Sequence, residues 1–141
     1  NGVGFVQIID TAFNYFKNTG IEGRIAAITS VAGTMGLGPS PSYSATKRMQ
    51  WTYLEALAQL AHSQNLNIHF TDIRPGFVAT DFLHGDNYPL LMEKEYAARK
   101  IYRALKNGRR IATIDWKYKL LCFVWRLIPR FIWERLNLTS R

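Results

Sequence analysis

The chain has 141 residues, 48% hydrophobic and 20% charged, which is enough apolar material for one globular core and excludes a disordered chain. The net charge of +8 is uneven: residues 1–92 carry 5 Lys/Arg against 6 Asp/Glu, whereas residues 93–141 carry 13 against 4, so the basic character belongs to the C-terminal third. Cys122 is the single cysteine, which excludes an internal disulfide and a cysteine-based zinc site and fits a reducing, cytoplasmic setting; no apolar run approaches the ~20 residues of a membrane span.

The first segment, residues 1–19, reads as a helix. Phe5, Ile8, Ile9, Ala12, Phe13 and Phe16 recur at helical spacing and form one broad apolar face, and Gly20 is the stop signal. Residues 24–30, RIAAITS, are a short β-rich apolar run of the kind buried in a parallel sheet. A loop with Gly33, Gly36 and Gly38 follows. Its Gly-x-x-Gly-x-Gly spacing is wrong for a dinucleotide fingerprint, so it is expected to be a flexible loop beside the site. Ser40-Pro41 is a helix start, cap residue then proline at the first turn, and the helix is predicted to run to about His62. Trp51, Leu54, Leu57 and Leu60 supply its apolar contacts, while Ala45, Ala56, Ala58 and Ala61 permit close approach.

Residues 67–74, NIHFTDIR, read as the next strand, and Pro75-Gly76-Phe77-Val78-Ala79-Thr80 leaves it at once. Pro ends a strand, Gly lets backbone come close to a ligand, and the Thr80 hydroxyl is able to bind an amide. Residues 81–92 form a loop rich in apolar and aromatic groups. Residues 93–106 are a helix with acids first and bases last, as the helix dipole prefers, and residues 109–114 are the last strand. The tail mixes Trp116, Tyr118, Phe123, Trp125, Phe131 and Trp133 with Lys117, Lys119, Arg126, Arg130 and Arg135, and Pro129 divides it into two short helices. Two readings of the tail stay open: an interfacial segment on an anionic membrane over residues 116–138, or a cover on the cleft or a subunit contact. Aromatics with charge but no binding module exclude nucleic acid as the expected partner. His69 and His84 have neither the order of a catalytic triad nor metal spacing, so no metal is expected.

The chemistry concentrates between residues 28 and 47. Tyr43 and Lys47 are four apart, which puts them on one helix face with Cβ atoms about 5–6 Å apart. Ser30 lies 13 positions before Tyr43, at the end of the buried strand, so all three groups can meet at the carboxyl edge of a parallel sheet, where open α/β folds place ligands. Reduction of a carbonyl by hydride leaves an oxygen that needs a proton. A free phenol has a pKa near 10 and is a poor shuttle at neutral pH, but an ammonium one turn away favours the phenolate. A serine hydroxyl holds the substrate oxygen in place. Tyr-x-x-x-Lys recurs at Tyr96/Lys100 and Tyr102/Lys106, but 13 residues before those stand Leu83 and Pro89, so these pairs read as helix surface.

Ser30, Tyr43 and Lys47 resemble the catalytic Ser, Tyr and Lys of the short-chain dehydrogenase/reductase family, and Pro75-Gly76-x-x-x-Thr80 resembles its nicotinamide-binding segment. The resemblance covers residues 1–114 and implies the C-terminal half of a Rossmann-like, doubly wound parallel α/β sheet, its last three strands with flanking helices, followed by a helical tail over 115–141. It implies an NAD(P)-dependent enzyme interconverting a carbonyl and an alcohol. Tyr43 would be the general acid/base, Tyr43 and Lys47 would also bind the cofactor, Lys47 at the nicotinamide ribose, and Pro75, Gly76, backbone around Val78 and the Thr80 hydroxyl would hold the carboxamide. Asn1, in Asn1-Gly-Val-Gly, matches the fourth catalytic residue better than the mid-helix Asn14. The first two long helices would form a homo-oligomer contact, and residues 81–92 would cover an apolar substrate. The family's opening strand, phosphate loop and NAD/NADP selector have no counterpart in the sequence. The chain is therefore expected to be an incomplete, inactive part of such an enzyme. The alternatives are a non-enzymatic oligomerisation fragment and a peripheral membrane-binding module.

Overall fold

A computed structural model describes residues 2–81 and 88–138. In chain order it has helix α1 (Val3–Thr19), strand β1 (Gly23–Ile28), helix α2 (Pro41–Ser63), strand β2 (Ile68–Arg74), helix α3 (Lys94–Lys106), strand β3 (Ile111–Thr113) and helices α4 (Trp116–Leu127) and α5 (Arg130–Trp133). Each element falls where its periodicity predicts it. The three strands form one parallel sheet in the order β1-β2-β3, with Ile25 beside Phe70 and Ile73 beside Ala112.

Helices cover both faces of the sheet, as a doubly wound arrangement requires. Alternation along a strand sends Phe70 and Ile73 to opposite faces. Ile25, Ala27, Ile68 and Phe70 pack with Ile9 and Phe13 of α1 and with Leu54, Leu57 and Ala61 of α2. Ile73 and Ala112 pack with Ala97 and Ala104 of α3 and with Tyr118 and Cys122 of α4. Leu54 is wholly buried, and truncating such a leucine to alanine costs about 2–5 kcal/mol. One expected core residue lies outside it: Ile8 is 71% exposed, because the helix buries the narrower stripe centred on Ile9 and Phe13. One face of β1 is also open, with Arg24, Ala26 and Ile28 exposed, the last by 60%.

Two local expectations change. The glycine loop after β1 is not loose throughout: Val31–Gly33 form a buried turn of 3-10 helix, and Thr34 is buried after it. A Cβ on Gly33 would lie 2.9 Å from the Trp51 ring and 3.0 Å from the α2 backbone, so close packing against α2 fixes this half of the loop. Pro41 starts α2 as predicted, but Ser40 makes no side-chain cap. Ser44 takes over locally, its Oγ accepting from Leu37 N–H at 3.1 Å and donating to the Pro41 carbonyl at 3.0 Å.

Candidate functional site

The site is built from the carboxyl ends of β1 and β2 and the first turns of α2. Ser30 stands just beyond β1, buried, with Oγ accepting from Ala32 N–H at 3.1 Å, which leaves its own O–H to donate. Lys47 Nζ donates to the Ile28 carbonyl at 3.3 Å, two residues before Ser30, and lies 5.7 Å from the centre of the Tyr43 ring. An ammonium has three N–H bonds, so Lys47 keeps two for a ligand. Partial burial pulls the Lys47 pKa below the usual lysine value, and the nearby Asp72 carboxylate opposes that shift.

The Pro-Gly segment reaches the same edge. Thr29 N–H donates to the Ile73 carbonyl at 2.7 Å and Val31 N–H to the Pro75 carbonyl at 3.0 Å, so the residues flanking Ser30 are tied to the end of β2 and to Pro75. Beyond Gly76, Ala79 N–H donates to the Met92 carbonyl at 2.8 Å and Met92 N–H to the Phe77 carbonyl at 3.0 Å, a short parallel bridge around Val78. Thr80 is exposed at its end, with Oγ1 donating a long bond to the Val78 carbonyl at 3.4 Å. Asn1 and His84 lie outside the described residues, as does 82–87 of the expected covering loop. At the ends of that loop, the Tyr88 ring packs 4.9 Å from that of Phe77.

Cation-over-ring geometry is no signature by itself. Lys100 Nζ sits 5.3 Å from the Tyr96 ring on α3, closer than Lys47 to Tyr43. What distinguishes Tyr43 and Lys47 is the strand end beneath them, with a buried serine beside it. His69 is exposed and contacts Asn67 at 3.1 Å, away from this edge. Among the described residues no group of three or more His, Cys, Asp or Glu is placed to hold a metal ion.

Three features escaped the sequence reading. The first is a buried polar network under Ser30. Thr29 Oγ1 donates to Asp72 Oδ1 at 2.6 Å and accepts from Trp51 Nε1 at 2.9 Å. Arg74 Nε donates to Asp72 Oδ2 at 2.7 Å, and its guanidinium lies 3.6 Å over the Trp51 ring. The signal was present in TDIRP: charges at positions 72 and 74 share a face of a strand that is otherwise apolar.

The second feature is Tyr118 of α4. Its ring occupies the place where a Gly76 Cβ would sit, only 2.0 Å from that position. Its hydroxyl accepts from Phe77 N–H at 2.9 Å and lies 3.1 Å from both the Pro89 and Leu90 carbonyls. Burial pushes its phenol pKa up, and the Phe77 bond partly offsets this. Gly76 therefore accommodates a tail side chain, which pins the Pro-Gly segment.

The third is a cavity of about 570 Å³ beside α2, lined by Arg48, Arg74, Arg110 and Arg126 with Trp51 and Glu55. Arg110 Nη2 donates to the Leu54 carbonyl at 3.1 Å, and its Nη1 is buried without a hydrogen-bond partner among the described residues.

The family model for short chain dehydrogenases matches residues 1–89, which hold Ser30, Tyr43, Lys47 and the Pro-Gly segment. This chain belongs to the short-chain dehydrogenase family. Among its relatives, an uncharacterized oxidoreductase of Mycobacterium tuberculosis is 30% identical over 116 residues, covering 82% of this chain and 46% of the relative. This chain spans about half the length of the first of the curated relatives it matches. Solved structures share its fold. A short chain dehydrogenase from Burkholderia cenocepacia in complex with NADP aligns with a TM-score of 0.69 at 18% identity, over 84% of this chain and 48% of that one. A 4-hydroxyisoleucine dehydrogenase complexed with NADH and succinate aligns with a TM-score of 0.55 at 20% identity, over 79% of this chain and 52% of that one.

Proposed function

We propose that the protein carrying this chain is a nicotinamide-dependent oxidoreductase that interconverts a carbonyl and an alcohol, with Tyr43 as general acid/base. The observation that carries this reading is that Lys47, beside the Tyr43 ring, binds the Ile28 carbonyl at the strand end that carries buried Ser30, while Val31 N–H ties that same end to Pro75. A nicotinamide, when bound, would supply or accept the hydride. In the reducing direction the Tyr43 O–H gives its proton to the substrate oxygen. The Ser30 O–H donates a hydrogen bond to that same oxygen and fixes its position. The Lys47 ammonium keeps positive charge beside the phenol as its proton leaves, and its spare N–H bonds suit the ribose hydroxyls. Val78 backbone and the Thr80 hydroxyl suit the carboxamide, with Pro75 and Gly76 shaping the approach. Asn1 is assigned the fourth catalytic position on its sequence pattern alone.

Structural neighbours solved with NADP or NADH support a nicotinamide and leave open which of the two is used. Phe77, Leu90 and Leu91, exposed beside the Pro-Gly segment, favour an apolar carbonyl substrate. The edge of β1 that pairs with no strand among the described residues, and the coverage of about half of the first of the curated relatives, support a parent with a larger sheet. The test is Tyr43→Phe assayed with NADH and NADPH on apolar ketones. The expected loss in kcat is about 10²-fold or more, the scale of positioned acid/base catalysis, with cofactor binding followed by energy transfer from tryptophan unchanged. Turnover within a few-fold of the parent protein would refute the role.

A second reading concerns assembly. Ile8 and Tyr15 are exposed beside Phe16 on an apolar groove of α1, which favours a helix-to-helix contact between two copies. Ile8→Lys is expected to lower the sedimentation coefficient; an unchanged value would remove this reading.

A further inference from the structure

Helix α4 is apolar on two opposite sides. Tyr118 and Cys122 are buried and Leu121 and Trp125 partly so, all toward the protein. Trp116, Leu120, Phe123, Val124 and Leu127 are 46–67% exposed. At 3.6 residues per turn these five fall on one stripe about 100° wide, directly opposite the buried side. Lys117 borders the stripe on one edge, and Lys119 and Arg126 border it on the other. Phe131 and Ile132 of α5 add exposed apolar surface beside Arg130 and Arg135. The segment is held in place: Trp133 Nε1 donates to the Gly36 carbonyl at 2.7 Å, and the Trp133 ring lies edge-on to Trp125 at 5.3 Å.

We infer that this face of α4 docks on an anionic lipid surface, with the five apolar side chains entering the interface and the flanking cations meeting the headgroups. Charge selects this occupant over a second copy of the chain. Two such faces brought together would oppose six cations. Of the acids in the two tail helices and their caps, Asp115 is engaged in capping α4, its Oδ1 accepting from Lys117 N–H at 2.9 Å, and Glu134 stands at the C-terminal cap of α5 between Arg130 and Arg135 in sequence. On the Arg126 side the surface continues into the cavity that Arg48, Arg74, Arg110 and Arg126 line with the single carboxylate of Glu55; with Arg74 paired to Asp72, three arginines face one glutamate there, so net positive potential extends beyond the stripe. Lying on a membrane, not crossing it, fits the lengths: no helix among the described residues is long and apolar enough to span one.

The test is co-sedimentation of the chain with vesicles of phosphatidylcholine containing phosphatidylserine, against phosphatidylcholine alone. Binding is expected to the anionic vesicles, weaker by about tenfold as salt shortens the Debye length from about 10 Å at 0.1 M to about 3 Å at 1 M. The triple variant Leu120→Gln/Phe123→Gln/Leu127→Gln changes only exposed positions. It is expected to keep its circular dichroism and melting profile while losing at least about tenfold in vesicle partitioning. The charge variant Lys117→Glu/Lys119→Glu is expected to lose preference for the anionic vesicles. The proposal is overturned if the parent chain ignores both vesicles, if the triple variant binds as the parent does, or if the parent dimerises through this face and releases no monomer to vesicles.

Discussion

Asp72→Asn tests the buried network beneath Ser30 most directly. Asp72 is 1% exposed and Arg74 9%, so the ion pair at 2.6 Å between Asp72 Oδ2 and Arg74 Nη2 is largely removed from water. Asparagine keeps the shape. Its carbonyl oxygen can face Arg74 while its amide faces Thr29, whose hydroxyl can turn wholly to the Ile73 carbonyl at 3.1 Å. Hydrogen bonding is thus mostly preserved, and the loss is charge: a buried guanidinium without a counter-ion. Removing one partner of such a pair costs about 3–5 kcal/mol. Arg74 also lines the open arginine cavity, where water reaches part of it, so the lower end, about 3 kcal/mol, is expected. That is a large share of the roughly 5–15 kcal/mol that holds a domain folded. Arg74→Met should cost a similar amount, and the double variant much less than the sum, because it leaves no unpaired charge. Urea unfolding of the four proteins in this cycle measures it. A loss under about 1 kcal/mol for Asp72→Asn, or full additivity, would mean that the pair is effectively solvated and the reasoning fails. The same substitution removes the charge that supports the Lys47 ammonium, so the alkaline limb of the activity profile should move to lower pH. The sign for stability follows from linkage. With its folded pKa lowered, Lys47 binds fewer protons folded than unfolded between that pKa and 10.5, so its contribution to stability rises with pH across that window.

Gly76→Ala places a methyl 2.0 Å from the Tyr118 ring, so an overpacking cost of about 1–3 kcal/mol is expected in urea unfolding; partial recovery in Gly76→Ala/Tyr118→Leu would confirm the clash, and no recovery would deny it. Tyr53 donates to Asp10 across α1 and α2, and its pKa is pushed up to about 12, first by desolvation and then by the Asp10 bond and charge. The stability difference between the parent and Tyr53→Phe, about 0.5–1.5 kcal/mol before solvent screening, should therefore hold below pH 10 and vanish as pH rises through about 12. An absorbance titration showing an ordinary Tyr53 phenol would contradict this. Cys122 is buried with Thr34 Oγ1 at 3.3 Å from its sulfur, so the native thiol should react with an aromatic disulfide reagent only as fast as the protein opens; rapid stoichiometric labelling would refute that burial.

Local patterns carried far because they are physical at short range. The i, i+3, i+4 recurrence in α1, the short apolar runs of β1 and β2 and the Pro129 break in the tail each depend on residues within a turn or two. The candidate triad was legible for a related reason: Tyr43 and Lys47 are one helical turn apart, and Ser30 is joined to them by a short loop at a strand end. The Pro-Gly-x-x-x-Thr segment follows its strand directly.

What the tertiary structure decided involves partners remote in the chain, which no local period encodes. Thr29 meets Asp72 only because β1 and β2 pair in a particular register, and that pairing turns an unremarked carboxylate into the group that supports Lys47. The loop around Gly33 reads as flexible from its glycines, yet it is buried because the Trp51 ring closes over it. Gly76 reads as a place of close backbone approach, and the structure packs against it the ring of Tyr118, from a helix some forty residues on, tying the tail to the Pro-Gly segment. The composition of the tail announced aromatic and basic surface, but only the packing of α4 on the sheet separated the side that joins the core from the side that faces outward. The sequence determined which elements form and which residue types lie at the strand ends. Side-chain burial, and with it charge and hydrogen-bond pairing, was settled by contacts across the sheet and between its layers.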